Sequence, residues 1–120
     1  MKILICGDRN YTNWLKIKDY LDTLDSDTII IHGCATGADS LAGNLSSGRG
    51  WEIMRFPAEW DKHGRASGPI RNPSDLNQQM IDEGKPDLVV YFHDDIKNSK
   101  GTKDMITRAT KNNIHVIGNP

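Results

Sequence analysis

Thr28-Ile29-Ile30-Ile31-His32-Gly33-Cys34-Ala35-Thr36-Gly37-Ala38-Asp39 is the stretch that decides the fold. A β-branched run passes directly into a loop of small residues and then into a helix whose apolar stripe is Ala38, Leu41, Ala42 and Leu45. A run without polar alternation is how a strand reads when both faces are covered, as in a parallel sheet. The pattern recurs on either side. Lys2–Cys6, Glu52–Phe56, Asp87–Phe92 and Asn113–Ile117 are further short apolar runs. Trp14, Ile17, Tyr20, Leu21 and Leu24 form a helical stripe after the first, and Met105, Ile106 and Ala109 form another before the last. Strands alternating with helices build right-handed βαβ units. The expectation is α/β: a Rossmann-like doubly wound sheet of about five mainly parallel strands with helices on both faces.

A chain of 120 residues reads as one domain, 1–120, large enough to hold a core without disulfide or metal staples. Lys and Arg number 15 against 16 Asp and Glu, a formal net charge of −1. That balance excludes a general grip on polyanions, which needs a basic excess, and a polybasic membrane-surface binder. No apolar run reaches the roughly 18–20 residues that span a bilayer. The opening run is cut off at Gly7-Asp8-Arg9, too early for a signal peptide, so a cytoplasmic protein is expected. Cys6 and Cys34 make no short-spaced metal pair, and Cys6 reads as a small buried hydrophobe. Asp94 and Asp95 read as solvated carboxylates. No metal and no cofactor is expected.

Ligands of open α/β sheets sit outside the carboxyl ends of the strands. That rule selects the loops Gly7–Asn13, Gly33–Asp39, Pro57–Asn72 and His93–Asp104. Gly33, Cys34, Ala35, Thr36 and Gly37 allow close backbone approach at a helix start, which suits phosphate or another anion; the plainer alternative is a tight turn with Thr36 as N-cap. Gly101, Thr102 and Lys103 repeat that logic after the fourth strand. Asp8, Arg9 and Tyr11 follow the first strand. Arg9 can clamp a phosphate, and Tyr11 either stacks on a base or staples the helix. The irregular stretch from Pro57 to about Leu76 carries Glu59, Trp60, His63, Arg71 and Asn72, which together offer an acid, an aromatic plate, an imidazole and a guanidinium. His32 and His115 read as structural.

Ile5–Tyr11, His32–Asp39, Phe56–Trp60 with His63-Gly64, Gly68–Asn72 followed by Met80, Asp82–Val89 and Gly101–Met105 resemble the signatures of the YspA/cpYpsA-related SLOG family, in order and over essentially the whole chain. The resemblance implies a Rossmann-like domain that binds nucleotides or nucleotide-derived molecules, with Gly7, Arg9, Gly33, Gly37, Asp39, Arg71, Asn72, Gly101 and Thr102 in the pocket. The wider superfamily includes LOG-type phosphoribohydrolases, DprA-like proteins and ligand sensors of phage–host nucleotide signalling. The chain departs from the LOG enzymes: their diglycine before Gly101 is absent, and Met105 stands at the position of their signature Glu, with Asp104 about 100° away around the helix. Residues 73–77 read as an insertion.

The leading expectation is therefore a sensor or sequestering protein for an ADP-ribose-like molecule, a cyclic nucleotide or a nucleoside phosphate. The alternative is a hydrolase of the N-glycosidic bond, with Asp39, Glu59 or Asp104 as carboxylate and His63 as general acid. A DprA-like single-stranded DNA binder ranks last on charge, though Lys97, Lys100 and Lys103 make a local basic patch. The resemblance also implies a homo-oligomer, for which the three tryptophans, Tyr20 and Met80 are interface candidates.

Overall fold

The structure, a computed structural model, describes residues 1–57 and 73–120. Its strands are β1 (Lys2–Gly7), β2 (Ile29–His32), β3 (Glu52–Arg55), β4 (Leu88–Phe92) and β5 (His115–Gly118). Its helices are α1 (Trp14–Leu21), α2 (Ala38–Gly48), α3 (Pro73–Gln79), which runs into a π-helical turn at Met80–Gly84, and α4 (Gly101–Lys111). The strands form one sheet in the order β3-β2-β1-β4-β5, every pair parallel. The α/β Rossmann-like expectation is met, with each apolar run becoming a strand.

Strand periodicity explains why those runs do not alternate. Ile3, Ile5, Ile30, Val90 and Phe92 face one layer, where Ile17 and Leu21 of α1 and Ala38 and Ala42 of α2 meet them. Leu4, Cys6, Ile31 and Val89 face the other, against Met80 and Ile81 of the π turn and Met105 and Ala109 of α4. Successive side chains of one strand thus enter different cores, and both must be apolar. Asn13 caps α1 by accepting the Lys16 N–H on Oδ1 at 3.3 Å.

Three expectations are corrected. Trp14 opens α1 half-exposed, at 48%, instead of joining its buried stripe. The irregular stretch does not extend to Leu76, because α3 begins at Pro73; proline suits a first helical position, where its missing N–H would have no partner anyway. Met80 is 3% exposed, so it offers no surface for an interface. Among the described residues no helix is long and apolar enough to cross a membrane.

Strand order positions the site. The chain leaves β1 toward α1 on one face and leaves β4 toward α4 on the other, so the loops after these adjacent central strands diverge. That is a topological switch point, where a crevice opens. Gly7 makes the exit from β1 tight: its φ is +154°, and a Cβ there would lie 2.1 Å from the Phe92 carbonyl oxygen. The Asp8 N–H donates to that same oxygen at 3.0 Å.

Candidate ligand-binding cleft

A cleft of about 790 Å³ lies at this switch point, within the size range of small-molecule sites. Its floor is Cys6 and Gly7. One wall is formed by Asp8 and Arg9 with Gly33, Cys34, Ala35 and Asp39, and the opposite wall by His93 and Asn98–Thr102. Leu76, Asn77 and Met80 close one side.

The wall after β2 has a chemistry that the glycine pattern does not suggest. Asp39 is 6% exposed, and its Oδ2 accepts the Gly33 N–H at 2.8 Å and the Ala35 N–H at 3.5 Å. The Cys34 N–H between them donates to Nδ1 of His32 at 3.0 Å. Three consecutive amides that would cradle an anion are therefore engaged inside the protein. Burial pushes the Asp39 carboxyl up to about 6, and the two backbone donors only partly offset it. Burial lowers His32 to about 4, with Arg55 adding to the shift, so the ring is neutral near pH 7 with its proton on Nε2. Both thiols are raised by burial first and by the Asp39 charge second, so neither Cys6 nor Cys34 is poised as a nucleophile.

Loop and helix are held together by backbone contacts that only small residues allow. Gly37 is the N-cap of α2 with φ 75° and ψ −129°, and a Cβ there would lie 2.2 Å from the Asp8 carbonyl oxygen. The Ala38 and Tyr11 N–H groups both donate to that oxygen at 3.1 Å. Thr36 donates from Oγ1 to the Arg9 carbonyl at 3.0 Å, so the expected N-cap role falls to Gly37 instead.

The wall after β4 presents donors. Its helix α4 opens into the cleft at Gly101, and the Gly101 N–H meets no acceptor among the described residues. Thr102, 4% exposed, donates its N–H to Ser99 Oγ at 3.0 Å. Lys100 adds the positive charge on this wall. His93 is fixed from both sides by the Asn119 amide, whose Oδ1 accepts the His93 N–H at 2.8 Å while Nδ2 donates to its carbonyl at 3.0 Å. Asn77 ties α3 to this helix start: Nδ2 donates to the Gly101 carbonyl and to Asp104 Oδ2, each at 3.0 Å. Asp104 also accepts from Arg108 Nε at 2.8 Å.

Of the residues singled out from sequence, Gly7, Asp8, Arg9, Gly33, Cys34, Ala35, Asp39, Gly101 and Thr102 line the cleft. Five others are placed elsewhere, among them Gly37, which packs against the backbone of Asp8 and Arg9 and does not line the cleft. Tyr11 is 4% exposed and packs on Phe92 with ring centroids 5.8 Å apart, so its ring cannot stack on a base. Asp104 ties α3 to α4 through Asn77 and Arg108 and does not line the cleft. Lys103 turns away to donate to the Lys97 carbonyl at 2.9 Å. Thr36 is exposed outside the cleft. Glu59, Trp60, His63, Arg71 and Asn72 lie outside the described residues. The sequence reading missed Asn77 and His93. His93 opens a loop already selected, the one in which Ser99 and Lys100 begin the second glycine motif, whereas Asn77 was hidden in the supposed insertion. Among the described residues, no group of three or more His, Cys, Asp or Glu could hold a metal ion.

Comparison with known proteins agrees with this picture. The chain is 29% identical over 125 residues to the Gene 61 protein of Mycobacterium phage D29, covering 97% of this chain and 94% of that protein. No solved structure matches. A family model for the YspA, cpYpsA-related SLOG family matches residues 1–63, just over half of the chain and the part that supplies β1, β2 and the first two loops of the cleft. With five parallel strands in Rossmann-like order behind that match, the chain belongs to the YspA, cpYpsA-related SLOG family.

Proposed function

We propose that the switch-point cleft captures a nucleotide or nucleotide-derived small molecule (ADP-ribose-like, a cyclic nucleotide or a nucleoside phosphate), and that the protein acts as its sensor or sequesterer. The observation that carries this reading is the α4 start. The unengaged Gly101 N–H, Ser99, Lys100 and the positive end of the helix dipole face a cleft of nucleotide size. Arg9 stands on the wall opposite and supplies a second cation. Family membership supports a nucleotide-related ligand. Similarity to a phage protein suits a role in phage–host nucleotide signalling. A homo-oligomer fits the same proposal, with Trp14 and the adjacent Leu15, 48% and 54% exposed, as its apolar contact.

Isothermal titration across nucleoside monophosphates, ADP-ribose and cyclic nucleotides is the test. Micromolar or tighter binding that weakens in Lys100→Ala and Arg9→Ala supports the reading, and heat from none of them refutes it. A hydrolytic reading draws on one observation, the carboxyl of Asp39 held near pH 6 inside the cleft. Release of free base from a nucleoside monophosphate, lost in Asp39→Asn, would establish it.

A further inference from the structure

The loops after β2 and β4 have opposite hydrogen-bonding character, and this orients the ligand. On the β2 side the Gly33, Cys34 and Ala35 amides are all engaged, two by Asp39 and one by His32. What that wall offers is an acceptor, a carboxylate whose Oδ2 is pinned by two backbone donors. A phosphate placed against that loop would meet the Asp39 charge and none of its three amides free, with Arg9 of the neighbouring β1 loop as the cation on that wall. On the β4 side, Ser99, Lys100 and Gly101 provide donors and positive charge.

We infer that Asp39 is the specificity-determining residue of the cleft, reading a ribose hydroxyl while the α4 wall takes the phosphate, so that the site selects ribonucleotides over their deoxy counterparts. The inference rests on the nucleotide reading above and adds the sugar to it. Three features suit Asp39 to the task. It is nearly buried, so a ligand hydroxyl replaces little water around it. Its orientation is fixed before binding, because Gly33 and Ala35 hold Oδ2, while Oδ1 has no hydrogen-bond partner among the described residues and the residue lines the cleft. It accepts and does not donate when ionised, so a sugar carbon lacking its hydroxyl leaves it without a partner. A site built to hydrogen-bond a hydroxyl rejects the analogue without it far more strongly than an apolar pocket rejects an extra group.

The test is calorimetric titration of the full chain at pH 7.5 with AMP, 2′-deoxyAMP, 3′-deoxyAMP, ribose 5-phosphate, 2-deoxyribose 5-phosphate and inorganic phosphate. The wild-type protein is expected to bind AMP about tenfold or more tighter than at least one of its two deoxy analogues, and ribose 5-phosphate tighter than 2-deoxyribose 5-phosphate when 2′-deoxyAMP is the weaker of the two. In Asp39→Asn and Asp39→Ala that ratio falls toward one, while inorganic phosphate binds as it does to the wild type. Equal affinities of the wild-type protein for ribo and deoxy probes overturn the inference and leave the nucleotide reading standing. So does a ratio that survives in Asp39→Ala. No binding by any of the six overturns the inference, and the nucleotide reading falls as well only if ADP-ribose, cyclic nucleotides and the other nucleoside monophosphates also give no heat. The wild-type comparison needs no variant, so it decides the matter even where a substitution unsettles the fold.

Discussion

Gly37 is the position at which backbone geometry, fold and site meet, and replacing it with alanine separates their contributions. At φ 75° and ψ −129° it occupies the mirror image of the extended region, closed to residues with a side chain. Holding an L-residue there costs about 1–3 kcal/mol. The new Cβ would also lie 2.2 Å from the Asp8 carbonyl oxygen and 2.4 Å from the Arg9 carbonyl carbon, both backbone atoms that no rotamer change can move. Relieving that overlap means parting α2 from the loop after β1, at about 1–3 kcal/mol more. The sum is about 2–6 kcal/mol, enough to remove much of a small domain's stability. Gly50→Ala is the matched control, since φ is again 75° but nothing lies within 4 Å of its added Cβ. It should cost only about 1 kcal/mol. Gly48→Ala, at the end of α2 with open space around it, should be neutral or stabilising by about 0.5–1 kcal/mol. Urea unfolding followed by far-UV circular dichroism ranks the three. If Gly37→Ala unfolds at the same urea concentration as Gly50→Ala, the close packing of the two loops is wrong.

Two other consequences can be measured in the same way. Asp39, with its carboxyl raised from 3.8 to about 6, binds a proton more readily folded than unfolded, so its contribution to stability is full below about 4 and is lost as pH rises through 6. His32, lowered from 6.5 to about 4, contributes fully above 6.5 and loses that contribution as pH falls toward 4. The two slopes oppose each other between pH 4 and 6. Asp39→Asn should therefore lose stability on acidification through that window, while His32→Asn should gain it, as read from urea midpoints at pH 4.5, 5.5 and 7; parallel profiles for both variants would show that the groups do not titrate as described. Asn77→Ala should cost about 1–3 kcal/mol by freeing the Gly101 carbonyl and one Asp104 contact, and should weaken nucleotide binding at the helix start that Asn77 holds. Unchanged affinity in a folded Asn77→Ala protein would deny it that positioning role.

The sheet was legible because parallel strands advertise themselves: Ile29–Ile31 and Leu88–Val90 are continuous runs since neighbouring side chains enter different cores. That the cleft lies beyond the carboxyl ends of the strands was legible from the strand-end rule, while the point at which it opens, between the diverging loops after β1 and β4, shows only in the strand order. Partners of hydrogen bonds were not legible. Gly33 to Gly37 reads as an anion cradle, yet Asp39 and His32 take its first three amides. Nothing in one sequence shows which of two acceptors a backbone donor will choose. Tyr11 failed for a related reason, because its ring is as suitable for packing on Phe92 as for stacking on a base. Asn77 failed because its role depends on contact with residues 24 and 27 positions away.

Amide-resolved NMR during titration with AMP and with ADP-ribose tests the central claim most directly, because it locates the ligand without assuming where it binds. Shifts concentrated at Gly7–Arg9, Gly33–Ala35 and Ser99–Thr102 are the predicted result. Saturable shifts clustered instead at the opposite ends of the strands, around Met1, Thr28 and Asp87, would contradict it.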